Sequence, residues 1–451
     1  MSLTRVAQLK LLTFAFATLS LASVVHAQIR MDDPYLSGRA KYEKSLKETK
    51  LFEQLAAEQR GFVDVPLDYE DPSAGSTSIF YRLPKAFNAA QPTLLFFYGG
   101  PGITSLSGFF ERTLPDFNVV YFDQRGTGFS YLPTLADQLT PRYFSSEHSA
   151  RDAARVLDHL GIEKVGVYGH SYGSVVATIF AHLFNDRVSG VVLEGTIFEG
   201  TANSRADLHR IKLIQKVFDS LSPGTQDRIL ELSNDGELPK HWFSSFVKPN
   251  MYGPNFETSL IARIENLMKN PAASIVKTVR EEIDESYLRV ENIYFASIMH
   301  HQISCQELSL GQTFGGWRSQ FNGRKLAPTE NADALYCASI PGLKERSNRT
   351  FKASRYPIHA PVTYIQGTTD GATPVVGAIE HYRHVAKGSA HLFLVKNGGH
   401  NPAITELFES PETQWHKKER HLISAIVREA LQGRKADSAN IKALGWLETS
   451  K

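Results

Sequence analysis

Cysteine is nearly absent from this chain: 451 residues carry two, Cys305 and Cys337. Two thiols with no adjacent histidine pattern exclude a sulfur-based tetrahedral metal site. An excess of either charge is missing too. Of 49 basic and 47 acidic residues, Arg5 and Lys10 fall in the acid-free stretch 1–27, so the rest is balanced. A balanced chain has no basic field with which to gather nucleic acid or anionic lipid. Beyond the N-terminus no segment is apolar for long enough to span a bilayer, and there is no internal repeat or low-complexity tract. Hydrophobic residues at 42% and charged ones at 21% are ordinary globular proportions, enough for a sizeable core.

The one apolar run stands at the start. Arg5 and Lys10 precede or open Leu11–Val25, which only Thr and Ser interrupt, and Val25-His26-Ala27 offers small residues at the signal-peptidase positions. The run is about 15 residues, short of the ~20 that a spanning helix needs. Residues 1–27 therefore read as a cleaved signal peptide rather than an anchor. The mature chain is expected to begin at Gln28, to be secreted or periplasmic, and to keep no stable membrane anchor. In an oxidising compartment an even cysteine count favours one disulfide, Cys305–Cys337; two buried free thiols are the alternative. Asn348-Arg349-Thr350 is a glycosylation sequon.

Residues 28–60 read as a charged, helix-prone extension. Phe62–Tyr69 and Ser78–Leu83 follow as two antiparallel strands around a turn-rich 70–75 segment. Apolar strand runs then recur at Thr93–Tyr98, Asn118–Phe122, Lys164–Tyr168 and Val188–Leu193, with helical patterns at His148–Leu160 and Ser174–Phe184. Short buried strands alternating with helices mean a parallel sheet covered on both faces. The strand signal stops near Glu199, and helical patterns take over at 208–221, 258–269, 272–283 and 288–301. Strands resume at Pro361–Gln366 and His391–Val395, before a last helix over 417–432. The expected organisation is an α/β core over 61–200, a helical cap over 201–355, and the second part of the core over 356–451.

Gly169-His170-Ser171-Tyr172-Gly173 lies between a predicted strand and a predicted helix, the context of a nucleophile elbow. The tight turn would raise the Ser171 hydroxyl above the strand ends, near the positive end of the following helix. A serine hydroxyl needs a base oriented by a third group. Asp370 and His400 follow in the order Ser, acid, His, each in a loop just past a strand. The two oxyanion donors would be the backbone N–H groups of Tyr172 and of Gly100, in the glycine turn Gly99-Gly100-Pro101-Gly102. Arg125, in the Asp123–Ser130 loop, reads as a structural pair-former.

Taken together, Gly99-Gly100-Pro101-Gly102, the 123–130 run Asp-Gln-Arg-Gly-Thr-Gly-Phe-Ser and the 169–173 elbow resemble the prolyl aminopeptidase family of α/β-hydrolases. The 65–72 run Val-Pro-Leu-Asp-Tyr-Glu-Asp-Pro is more like the secreted, tripeptidyl-aminopeptidase-like branch. Two positions depart from the family pattern: Tyr98 where a His usually precedes the glycines, and Ser174 after the elbow. The resemblance implies a serine peptidase that removes residues from free peptide N-termini without metal or cofactor, under a helical cap whose acids hold the substrate amine. Residues 289–295 resemble the cap segment whose Glu does this, which makes Glu291 the first candidate and Glu307 the second. The rival readings are an esterase or lipase using the same triad, and a non-catalytic binding protein on the same fold.

Overall fold

Why the apolar runs are so short becomes plain once their burial is seen. The computed structural model describes residues 55–107, 114–130, 140–200, 204–238, 242–283, 297–308, 325–328, 337, 349–404 and 416–450. The expected signal peptide, nearly all of the 28–60 extension, Glu291 and Asn348 lie outside these residues. Strands β1 (Arg60–Pro66) and β2 (Ser76–Arg82) pair antiparallel. Then come β3 (Thr93–Phe97), β4 (Asn118–Phe122), β5 (Val165–His170), β6 (Val188–Glu194), β7 (Val362–Gly367), β8 (Ala390–Val395) and β9 (Leu447–Ser450). They form one sheet in the order β1-β2-β4-β3-β5-β6-β7-β8-β9. From β4 to β8 neighbours run parallel, while β2 meets β4, and β9 meets β8, antiparallel.

Every residue of β3, β4 and β5 is buried, because both faces of the sheet are covered. On one face Leu95, Phe97, Val167 and Leu193 pack with residues of α1 (Ser146–His159) and α2 (Gly173–Leu183). Phe96, Tyr168 and Val192 point the other way, since strand side chains alternate, and join a second cluster.

Between β6 and β7 lie α3 (Arg205–Asp219), α4 (Pro223–Asn234), α5 (Trp242–Val247), α6 (Phe256–Leu267), α7 (Ala272–Ile283) and α8 (Ser297–Glu307). Their caps are legible: the Ser204 and Ser222 side chains accept from the N–H groups of Asp207 and Thr225, satisfying donors the helix leaves open. Ile214, Phe218, Trp242, Phe243, Leu260 and Ile275 form a third cluster of their own. After β7 come α9 (Val375–His384), α10 (His416–Leu431) and α11 (Ser438–Ala443), with α10 in the second cluster.

Several elements differ from expectation. The helix expected over 288–301 is described only from Ser297 and runs on to Glu307. Helices α4, α5, α9 and α11 and strand β9 were not among the expected elements. Strand β9 is exposed along its length, so only its backbone pairing with β8 creates it. Cys305 and Cys337 are joined as a disulfide, with Cα atoms 5.6 Å apart. No described helix is long and apolar enough to cross a membrane.

Candidate active site

The elbow follows from two glycine-sized spaces and one strained residue. Ser171 stands between β5 and α2 with φ at 55°, a region that L residues occupy only under constraint. Its N–H donates to the Glu194 carbonyl at 2.8 Å, and its carbonyl accepts from Ser174 N at 2.9 Å and Ser174 Oγ at 2.6 Å. A Cβ on Gly173 would lie 2.0 Å from the Phe97 carbonyl oxygen. One on Gly169 would lie 2.6 Å from the Gly173 oxygen, so strand, turn and helix meet only because these side chains are missing. Ser174, a departure from the family pattern, thus braces the elbow through its hydroxyl, which also accepts from Ile197 N at 3.0 Å. Tyr98, the other departure, is buried and donates its hydroxyl to the Ser105 carbonyl at 3.2 Å.

Asp370 and His400 come together from loops after β7 and β8. His400 Nδ1 and Asp370 Oδ2 are 2.9 Å apart, and both residues are 2% exposed. Asp370 Oδ1 accepts from the N–H groups of Ala372 (2.8 Å) and Thr373 (2.9 Å); Oδ2 also accepts from Gln366 Nε2 (2.9 Å) and Thr373 Oγ1 (2.6 Å). Burial alone would raise the Asp370 carboxyl, but the His400 charge and these donors hold it below its ordinary value. The His400 ring lies over Gly195, whose absent Cβ would sit 2.9 Å from Cε1, and 5.1 Å from the His170 ring beside Ser171. Its Nε2 is buried and has no hydrogen-bond partner among the described residues, and no hydrogen bond joins it to Ser171 in this structure. Such contacts often tighten only when substrate arrives.

Residues that sequence reasoning passed over hold this loop. The side chain of Glu194, at the end of β6, accepts from the N–H groups of Ala403 (2.6 Å) and Ile404 (3.1 Å), just past His400, and from Tyr168 Oη (2.5 Å). His170 Nε2 and Asn401 Oδ1 are 2.7 Å apart. Burial, then the neighbouring His400, lower the His170 ring to about 3, so it is neutral. The Tyr252 carbonyl accepts from His400 N at 2.8 Å, the Met251 carbonyl from Gly371 N at 3.1 Å, and the Tyr252 ring stands edge-to-face on His400. The helical insertion therefore touches both loops. No single-residue pattern announces these contacts, because each joins chain segments far apart.

The Glu194 carboxyl has a titration worth testing. Burial raises it from 4.5 to about 7, against its hydrogen bonds, which favour the anion. A folded-state pKa above the unfolded value means stability fully present below pH 4.5 and lost as pH rises through about 7. Glu194→Gln imitates the protonated form. It should match wild type near pH 4.5 and gain on it by on the order of 3 kcal/mol above pH 8, read as melting temperature against pH for both proteins.

A cleft opens over Ser171, lined among others by Gly100, Glu199, Asp207, Lys248, Tyr252 and His300. Gly100, at φ 105°, belongs to the turn whose neighbour Gly99 would place a Cβ 3.0 Å from Ser171 Cβ. Tyr172 directly follows the serine, at the N-terminus of α2. Arg125 is built into the core: Nε and Nη2 reach Asp152 at 2.6 and 2.8 Å, and Nη2 donates to the Pro66 carbonyl at 2.7 Å. Glu307 is the second sequence candidate for the substrate amine. Its carboxylate does not line the cleft but is buried against Ser146, at the start of α1. Glu199 does line it, and makes no ion pair or side-chain hydrogen bond with the described residues; Asp207 is paired to Arg210 at 2.5 Å. No group of three metal-ligating side chains occurs among the described residues.

The doubly covered sheet and the elbow define an α/β-hydrolase fold, and residues 92–229 match the alpha/beta hydrolase fold family. Within that fold the chain resembles proline iminopeptidases. It is 30% identical to one from Aeromonas sobria over 156 residues, 30% of this chain and 36% of that protein. It is 36% identical to one from Neisseria gonorrhoeae over 106 residues, 23% of this chain and 32% of that protein. A putative 2-succinyl-6-hydroxy-2,4-cyclohexadiene-1-carboxylate synthase of Bacillus subtilis (strain 168) is 30% identical over 121 residues, 27% of this chain and 42% of that protein. The chain thus spans about a third to two fifths of the length of these curated relatives.

Proposed function

We propose that the protein is an exported serine aminopeptidase that removes proline-type residues or short peptides from free peptide N-termini through an acyl-enzyme on Ser171. The observation that carries the reading is the buried His400–Asp370 pair at 2.9 Å, beside an elbow serine in strained geometry at the floor of a cleft. In this mechanism His400 Nε2 removes the Ser171 proton as Oγ attacks the scissile carbonyl. The N–H groups of Tyr172 and Gly100 hold the oxyanion. His400 then gives the proton to the leaving amine, and water, activated by the same nitrogen, hydrolyses the ester. Asp370 keeps Nδ1 protonated and stabilises the imidazolium.

The peptidase choice rests on the resemblance to proline iminopeptidases and on an acid in the cleft. An ammonium leaving water needs an opposite charge to offset its lost solvation. Glu199 can supply one, and Glu291 remains the candidate from the residues outside the structure. The test is a panel of one- to three-residue chromogenic amides and esters, each free and N-acetylated. Acetylation should abolish turnover, and Glu199→Gln or Glu291→Gln should cost ~2 kcal/mol or more in kcat/KM on free-amine substrates alone. Indifference to acetylation would instead establish an esterase-type enzyme. An N-terminus at Gln28 in the exported protein, read by mass spectrometry, is the companion check on export.

A further inference from the structure

Glu307 ends α8, and its side chain leaves the helical insertion for the core. The Ser146 N–H donates to Oε1 at 3.0 Å, and the Ser146 hydroxyl donates to Oε2. That hydroxyl oxygen is also 3.0 Å from Tyr172 Oη. One chain of contacts therefore runs from the insertion, through the first turn of α1, to the residue whose backbone N–H faces the proposed oxyanion. Its members are buried: Glu307, Ser146 and Tyr172 are 5%, 1% and 0% exposed. A carboxylate is costly in such a place unless donors meet it, and the open N–H groups of a helix start are suited to it.

Glu307 is held from behind as well. Its carbonyl accepts from Phe351 N at 2.9 Å, and a Cβ on Gly200 would lie 1.8 Å from that oxygen. Cys305, in the same helix, is bonded to Cys337. The near end of the chain of contacts is thus fixed by the backbone and a disulfide. At its far end, the Tyr172 ring is buried and close-packed in the core, so a shift of its hydroxyl is not absorbed by loose neighbours and is passed to its peptide.

We propose that Glu307 is a positioning residue that sets the oxyanion-binding amide of Tyr172 through Ser146. The helical insertion is then part of the transition-state site and not only its cover. The inference rests on the serine-hydrolase reading above, and the two can fail separately.

The test uses the full exported protein and the rate at which a small neutral fluorophosphonate labels Ser171, since this reaction also develops charge on the oxygen in that site. Glu307→Gln, Ser146→Ala and Tyr172→Phe should each lower the maximal labelling rate about tenfold, less than the 10²–10³ for losing an oxyanion donor outright, with the reagent's half-saturation unchanged. Tyr172→Phe removes one oxygen and keeps the amide, so it stays informative should Glu307→Gln fold poorly. The double variant Glu307→Gln/Tyr172→Phe should be no slower than the worse single one, because both cut one chain of contacts. Affinity for a neutral trifluoromethyl ketone, which forms an oxyanion on Ser171, should fall by the same factor.

Additive losses in the double variant would overturn the proposal. So would unchanged labelling and ketone affinity in Tyr172→Phe, or a Glu307→Gln defect confined to free-amine substrates, which would make Glu307 an amine anchor. Labelling that persists in Ser171→Ala would overturn the hydrolase reading itself.

Discussion

Ser171→Ala should abolish fluorophosphonate labelling and lower turnover by roughly 10⁴–10⁶-fold. The expectation has a geometric basis. The Ser171 backbone is fixed by its N–H to the Glu194 carbonyl and by two bonds from Ser174, none of which needs the side chain. Alanine suffers the same positive φ as serine, so the strain is unchanged. The melting temperature should therefore stay close to that of wild type while the chemistry disappears. Water attacking a substrate held in the same cleft would retain only the catalysis that binding and the oxyanion site provide. The measurement is single-turnover release of a chromophore together with intact-mass detection of the labelled serine. Full labelling in the alanine variant would remove Ser171 from the mechanism.

Asp370→Asn should cost roughly 10⁴-fold in kcat. Five donors converge on this carboxylate: two backbone N–H groups on Oδ1, and Gln366, Thr373 and His400 on Oδ2. An asparagine keeps one acceptor oxygen. If that oxygen takes the Oδ1 place, its NH₂ faces His400 Nδ1 and the Gln366 amide. Gln366 cannot simply turn over, because its oxygen already accepts from Thr196 N at 3.1 Å. The imidazole then takes the tautomer with the proton on Nε2 and can no longer accept from the serine. A buried donor left facing a donor also costs about 1–3 kcal/mol, so the melting temperature should fall with kcat. A variant with wild-type kcat would show that His400 does not need Asp370.

Much of the site could be read from local pattern. Glycines at 169 and 173 around Ser171 have no other economical explanation between a strand and a helix, and the structure gives the reason in the 2.0 Å that separates an added Cβ at Gly173 from the Phe97 oxygen. Strand runs at 93–97, 118–122 and 188–194 were legible because burial on both faces demands unbroken apolar sequence. The edge was not: β9 is exposed, polar and defined by its partner. Helix α4 opens on a Ser-Pro start but has few apolar residues; its Ile229 and Leu232 are buried in the third cluster with α3, α5, α6 and α7, and Trp242 Nε1 of α5 donates to Ser233 Oγ at 2.7 Å.

The amino-acid sequence by itself determined which residues could do chemistry: a serine in a tight turn, an acid and a histidine in the following strand-end loops, and two cysteines to pair. Periodicity and turn chemistry are local, and they survive in one dimension. Only the tertiary structure decided what each acid does. Glu194 and Glu307 look like any other glutamates in the chain, yet burial raises both carboxyls to about 7, and each is spent on backbone N–H groups near the site. Glu199, with no motif around it, is left facing the cleft. A carboxylate's role depends on the donors and the solvent it meets. Those are set by contacts between segments as far as 210 residues apart, as between Glu194 and Ile404, which no local pattern records.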